Sequence, residues 1–409
     1  ALETAALAGY SGAHARNFEV EYVYALAANE RYADAVVAAD RLAAGLGEQQ
    51  RAAATIIGDV LRFLAGGERD MALLADVLAR AESLSFVNLF SRVRPAITRV
   101  CASALRHGVR PEFVRRVITV QRLLPPPSAG PEWPWPVIVR TLGTFELVVA
   151  GERYQPSHKT QDKPLELLKL LVTCQALGRE SVERDFLAER LWPDAEGVNA
   201  RKSLETTLAR LRKLLRDDDA VVLSEGRLRL SEEHVWTDVT PLLRALAHAR
   251  AQRDEWARGA HPALDAAIAD VGSVLDHYHG RFLPEEGDAP WLIAGREAIA
   301  AAVRSALMIA DAVLGGRDSE RLIAALERAF AADPTSEDLA RALMRAWSAR
   351  GQHAEGIRVY RRLREMLSVI LALPPSRETE SLKDDLYARV PAGGTGERAP
   401  LRAQGRSSP

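Results

Sequence analysis

The chain has 409 residues, 47% of them hydrophobic and 27% charged, with a formal net charge of −1. That length exceeds one hydrophobic core and predicts roughly two to four domains of ordinary soluble composition. The only cysteines, Cys101 and Cys174, exclude a disulfide framework and a CxxC metal site, and no run approaches the roughly 18 apolar residues of a membrane-spanning helix.

Residues 1–124 are rich in Ala, Leu and Arg and are interrupted by short breaks at Gly45-Leu46-Gly47 and Gly66-Gly67, which predicts helices joined by brief turns. Tyr24 to Val36 sets small residues and aromatics as a tetratricopeptide-type helical hairpin does, so the segment reads as the end of an α-solenoid. Ala1 falls inside a helical pattern, and further sequence is expected to precede it. Residues 125–136 hold six prolines, which remove amide donors and fix φ. They are expected to form a stiff Pro-rich linker whose Trp133 and Trp135 pack on a neighbouring domain, in preference to a polyproline ligand for a partner.

After the linker the period changes to two. Val137 to Leu142 reads as a strand, and Phe145, Leu147 and Val149 alternate with polar residues as a second one, closed by Ala150-Gly151. A helix follows from Asp162-Lys163-Pro164, carrying Leu165, Leu168, Leu171 and Val172. Another is expected from Ser181 as N-cap through Phe186, Leu187 and Leu191 to Trp192, stopped by Pro193. A third spans Gly197 to Arg216 and ends at Asp217-Asp218-Asp219. Val221 to Leu230 then reads as a hairpin turning at Ser224-Glu225-Gly226.

The Gly197–Arg216 stretch organises the rest. Leu204, Leu208, Leu211 and Leu215 fall in one helical stripe, while Asn199, Lys202, Thr206, Arg210 and Lys213 gather opposite, with Arg201 and Arg212 towards the flanks. Six Lys or Arg against the single acid Glu205 give it a formal charge of +5. Alone, such a helix is equally the solvated face of an ordinary core element. Between a supporting helix and a hairpin it asks for an anionic partner.

Thr141-Leu-Gly-Thr-Phe-Glu146, Lys163-Pro-Leu-Glu-Leu-Leu-Lys169, Leu187-Ala-Glu-Arg-Leu-Trp-Pro-Asp194 and Thr207-Leu-Ala-Arg-Leu-Arg-Lys-Leu-Leu215 together resemble the OmpR/PhoB-class winged helix of the Streptomyces antibiotic regulatory protein (SARP) family of activators. Tyr278 to Leu283, Pro290-Trp291-Leu292, Arg296, Leu326 to Phe330 with Asp333-Pro334, Arg358 to Arg362 and Leu373 to Thr379 resemble the bacterial transcriptional activator domain that follows it, itself built of tetratricopeptide-like pairs. Gly316 and Gly351, 35 residues apart, suit that repeat period. The upstream helices resemble the sensor of large MalT-like regulators, of which this chain would be the C-terminal part. The resemblance implies a recognition helix from Asn199 to Arg216, and partners that include promoter-region double-stranded DNA, RNA polymerase and further copies of the chain on DNA. It also places Arg227 on the wing. Arg227 and Arg229 share one side of the hairpin, and phosphate contact and plain solvation stand open for them.

The expected architecture is mainly α: tetratricopeptide-like helical repeats flanking a winged helix-turn-helix (α+β) domain. Its divisions are 1–124 helical repeats, 125–136 linker, 137–236 winged helix, 237–390 activator domain and 391–409 disordered tail. The DNA-binding residues would be Asn199, Arg201, Lys202, Thr206, Arg210, Arg212, Lys213 and Arg227, with Lys202, Thr206 and Arg210 reading bases and Arg212 and Lys213 meeting phosphates. No cofactor, metal or catalytic site is expected: His277 and His279 point to different faces of a helix, and no GxxxxGK[ST], GxSxG, HExxH or GxGxxG occurs. The expected location is the bacterial cytoplasm, without membrane contact. The rival reading is a protein-interaction scaffold whose winged helix touches no DNA.

Overall fold

The computed structural model describes residues 13–87, 92–155, 162–244, 246–247, 251, 275–276, 278–287, 289–314 and 319–389. The chain is mainly helical with two small sheets. It divides into two units: Ala1–Val139, Glu146–Val172 and Glu180–Thr237 form one, and Arg140–Phe145, Thr173–Arg179 and Asp238–Pro409 the other. The expected features at Ala1, His277, Gly316 and residues 391–409 lie outside the described residues.

The first unit begins with α1 (Ala13–Ala28), α2 (Tyr32–Ala44), α3 (Glu48–Ala65), α4 (Met71–Ser83), α5 (Arg94–Arg106) and α6 (Pro111–Gln121). Helix α2 buries Tyr32, Ala35, Ala39 and Leu42 at helical spacing. A Cβ at Gly58 of α3 would meet the Ala39 side chain at 3.8 Å, so small residues set a close approach. Asp70 caps α4 by accepting the Leu73 amide at 2.9 Å.

Residues 125–136 are packed rather than free. Trp133 and Trp135 are buried in the same cluster as Phe63, Leu78, Ile97, Phe113 and, from far along the chain, Trp236. The Trp135 indole N–H donates to the Gly130 carbonyl at 2.8 Å. Prolines suit such a packed segment because they bring no amide that needs a partner. The polyproline-ligand alternative would need these buried indoles at the surface.

Next come β1 (Val137–Arg140), β2 (Glu146–Val149), β3 (Glu152–Arg153), α7 (Asp162–Ala176), β4 (Val182–Glu183), α8 (Arg184–Leu191), α9 (Gly197–Leu215), β5 (Val221–Ser224), β6 (Arg227–Leu230) and β7 (Val235–Thr237). One sheet has the order β3-β2-β1-β7, with β1 and β7 parallel; the other has the order β4-β6-β5. Two expectations change here. Ser181 is not an N-cap: Val182 and Glu183 pair with Leu228 and Arg227 as a strand, and Glu183 precedes the first turn of α8. The predicted hairpin thus gains a third strand. The first predicted strand stops at Arg140, and Leu142 instead bridges to Phe282.

That bridge belongs to the second unit. Its Thr141 and Leu142 amides and the Thr141 hydroxyl donate to the buried Asp238 carboxylate at 2.7, 2.8 and 2.7 Å. The Leu283 amide donates to Thr141 O at 2.8 Å, and the Gly143 amide to Arg281 O at 3.0 Å. Gly143 and Gly280 adopt φ 111 and 156, backbone conformations that residues with a side chain rarely take, so both positions favour glycine. The buried Arg296 guanidinium holds the following turn by donating to the carbonyls of Phe282, Leu283 and Glu286. Helices α10 (Pro290–Leu314), α11 (Ser319–Ala332), α12 (Glu337–Ala349), α13 (His353–Met366) and α14 (Arg377–Arg389) complete the unit, with a π-helical turn Leu367–Leu371 after α13.

Candidate nucleic-acid interface

Helix α9 is fixed by its buried side. Ala200, Leu204, Thr207, Leu208, Leu211 and Leu215 are buried, as 3.6-residue spacing requires of a helix bound to a core on one side only. Helix α8 supports it through buried Leu187, Ala188 and Leu191. Lys163 at the start of α7 closes the end of α8: its ammonium donates to the Leu191 carbonyl at 2.8 Å and lies over the Trp192 ring at 5.6 Å. A cation at a helix C-terminus meets both orphan carbonyls and the negative end of the dipole.

The opposite side of α9 carries Asn199, Lys202, Thr206, Arg210 and Lys213, all exposed. They fall within an arc of roughly 80° about the helix axis. Lys202 and Arg210 are about 12 Å apart along it. Among the described residues Lys202, Arg210 and Lys213 have no ion-pair partner. The Thr206 hydroxyl donates back to Lys202 O at 3.1 Å.

The neighbouring edge of α9 is occupied. Arg201 forks onto Asp185 of α8 at 2.6 and 2.5 Å, and Arg184 pairs with Glu205. The Arg201 hydrogen bonds hold the Asp185 carboxyl below the usual carboxylate range. Arg212 donates twice to the Val221 carbonyl of β5, at 3.2 and 2.7 Å, so its guanidinium fastens α9 to the hairpin. That differs from the phosphate contact expected of it. Arg216, just past the helix, pairs with Glu152 of β3 at 3.0 Å.

Glu225 and Gly226 turn the hairpin at φ 51 and 74, the signs a two-residue type I′ turn demands. Arg227 and Arg229 share its exposed side, as their spacing predicted. Arg227 is tied down by Ser181 Oγ at 3.0 Å, Ser181 O at 2.8 Å and Glu183 at 2.9 Å, leaving Arg229 as the wing cation without an ion-pair partner among the described residues. Arg184, Asp185 and Lys163 were not foreseen as parts of this region. Their partners lie 21, 16 and 28 residues away, and no local pattern encodes such pairings. Asp217 of the acidic run accepts from His234 Nδ1 at 2.7 Å and from the Asp219 amide at 2.9 Å, so it anchors the loop before β7.

Among the described residues no group of three or more His, Cys, Asp or Glu could hold a metal ion, and no helix is long and apolar enough to cross a membrane. The stretch that begins at Asp238 carries a likeness to a known family. Residues 238–387 match the bacterial transcriptional activator domain. The activator domain opens on the very carboxylate, Asp238, that binds Thr141 and Leu142. No curated protein matches the chain. Among solved structures it is similar to Mycobacterium tuberculosis EmbR in complex with a low-affinity phosphopeptide, at 21% identity and a TM-score of 0.44, over 63% of this chain and 66% of that one. It is also similar to the tetratricopeptide domain of P58(IPK), at 11% identity and a TM-score of 0.25, over 91% and 98% of the two chains.

Proposed function

We propose that this chain is a SARP-type, sequence-specific DNA-binding transcription activator, in which α7 to α9 with the β4-β6-β5 sheet act as a winged helix-turn-helix. The observation that carries the reading is the outer stripe of α9. Lys202, Arg210 and Lys213 are exposed without ion-pair partners among the described residues, while Glu205 beside them is taken up by Arg184. A helix of this form fits a major groove about 12 Å wide. Lys202 and Arg210 lie over a span of about four base pairs at about 3.4 Å per step. Arg210 would read a guanine edge and Lys202 and Thr206 the neighbouring bases, each good contact discriminating by roughly 1 to 3 kcal/mol. Asn199, Lys213 and Arg229 would set register on phosphates.

The match of residues 238–387 to an activator domain supports transcription as the setting, with RNA polymerase as the partner, copies of the chain side by side on a promoter, and the bacterial cytoplasm as the place. The chain would act without a cofactor and without catalysis. Selection of bound sequences from random duplex DNA tests the reading. A defined motif, lost from the Lys202→Ala/Arg210→Ala double variant, is the expected result. Absence of salt-sensitive retardation of any duplex at low salt would refute it and leave the interaction scaffold.

A further inference from the structure

Resting on the DNA-binding reading above, we infer that Arg184 and Asp185, adjacent at the start of α8, are positioning residues that decide which charges α9 presents to DNA. On α9 alone, Glu205 stands three residues after Lys202 and four after Arg201. Both spacings favour ion pairs within one helix. Two of the states open to Glu205 would be poor arrangements for a recognition helix. A Lys202–Glu205 pair removes a reading cation, and an unpaired Glu205 sets a carboxylate against phosphates.

The structure contains neither pair. Arg184 takes Glu205 and Asp185 takes Arg201, so two contacts within α9 are exchanged for two contacts between helices. The exchange is reciprocal: a cation and an anion on α8 meet an anion and a cation four residues apart on α9. Lys202 is left exposed with no ion-pair partner among the described residues. The Arg201–Asp185 contact uses two parallel N–H···O bonds, the geometry that holds a guanidinium in one orientation. Arg201 is thereby kept from acting as an indiscriminate phosphate clamp.

The inference assigns opposite roles to adjacent residues. Arg184→Ala frees Glu205 to capture Lys202, so affinity for a selected duplex falls about twofold, the worth of one such pair. Asp185→Asn releases Arg201 to phosphate, which tightens a non-specific duplex of equal length several-fold, steepens the salt slope by about one unit and erodes preference for the selected sequence. A general change in surface charge gives the same signs, so the deciding measurement is a pair of double-mutant cycles on the full chain, read by fluorescence anisotropy between about 50 and 200 mM salt.

Glu205→Gln is expected to restore Arg184→Ala to wild-type affinity while changing the wild-type background little. Arg201→Gln is expected to cancel the effect of Asp185→Asn. Arg184→Lys, which keeps the ion pair, should bind as wild type does and controls for folding. Effects of Arg184→Ala and Asp185→Asn that persist unchanged in the Glu205→Gln and Arg201→Gln backgrounds would overturn the inference. So would wild-type binding by both single variants. Failure of the wild-type chain to bind any duplex would instead refute the DNA-binding reading itself.

Discussion

Replacement of Asp238 by alanine should cost the second unit about 2 to 4 kcal/mol. The carboxylate accepts from the Thr141 amide, the Leu142 amide and the Thr141 hydroxyl at 2.7, 2.8 and 2.7 Å, and Asp238 is only 2% exposed. The hydroxyl can rotate towards another acceptor, but the two amides are fixed by the backbone. A buried amide left without an acceptor costs about 1 to 3 kcal/mol, or about 2 to 6 for the two. Alanine also relieves the desolvation that pushes the Asp238 carboxyl above the usual range, which brings the expected loss into the lower part of that interval.

The pH dependence has a definite sign. Because burial raises the folded-state value, the stability this group contributes is complete below its unfolded value of 3.8 and declines as pH rises through the folded one. The gap between wild type and variant should therefore narrow from about pH 4 upward. Urea denaturation gives the loss, and hydrogen exchange of residues 140–145 localises it. A loss below about 0.5 kcal/mol, with Thr141 and Leu142 as protected as in wild type, would refute the reasoning.

Neighbouring cations on α9 should separate by role. Arg212→Ala is expected to lower stability by about 1 kcal/mol, because two bonds to Val221 O are lost, without moving the salt dependence of DNA binding. Lys213→Ala should leave the thermal midpoint in place and reduce the salt slope by about 0.9. Glu225 adopts φ 51 without being glycine or asparagine, so Glu225→Asn should stabilise the hairpin by about 0.5 to 1 kcal/mol in denaturant titrations. The Cys101 thiol, pushed up to about 12 by burial, should resist a thiol reagent at pH 8 until the chain is unfolded.

Local periodicity alone makes α9 legible: the leucine spacing specifies its buried side, and helical stepping from it gives the exposed stripe. The turn at Glu225 and Gly226 is readable from a glycine between two strand-forming runs. Pairings across the chain were not readable. Arg212 and Lys213 are adjacent cations with the same propensity, and only the placement of β5 makes one a fastening and the other a free charge. Thr141 and Leu142 read as the continuation of a strand because both are ordinary strand residues. Their amides instead go to Asp238, nearly 100 positions later, a contact that tertiary packing alone creates. Ser181 offered the right chemistry for a cap, but the strand pairing of Val182 with Leu228 moved the helix start past it.

The indole cluster of Trp133, Trp135 and Trp236 bears on how such chains can be recombined. Two of its members precede β1 and the third lies within β7, so the β1 to β7 segment cannot be excised as a self-contained cassette. A truncation starting at Val137 would uncover the Trp236 ring along with Ile138, and any gain or loss of DNA affinity in it would mix release with exposure of apolar surface. A graft that exchanges the upstream helices must carry residues 125–136 with them, and the recipient must present an aromatic residue where Trp236 stands. The proline-rich stretch is thus a heritable fitting between modules: new helices can be joined to this segment only by sequences that bring a matching seat for its tryptophan.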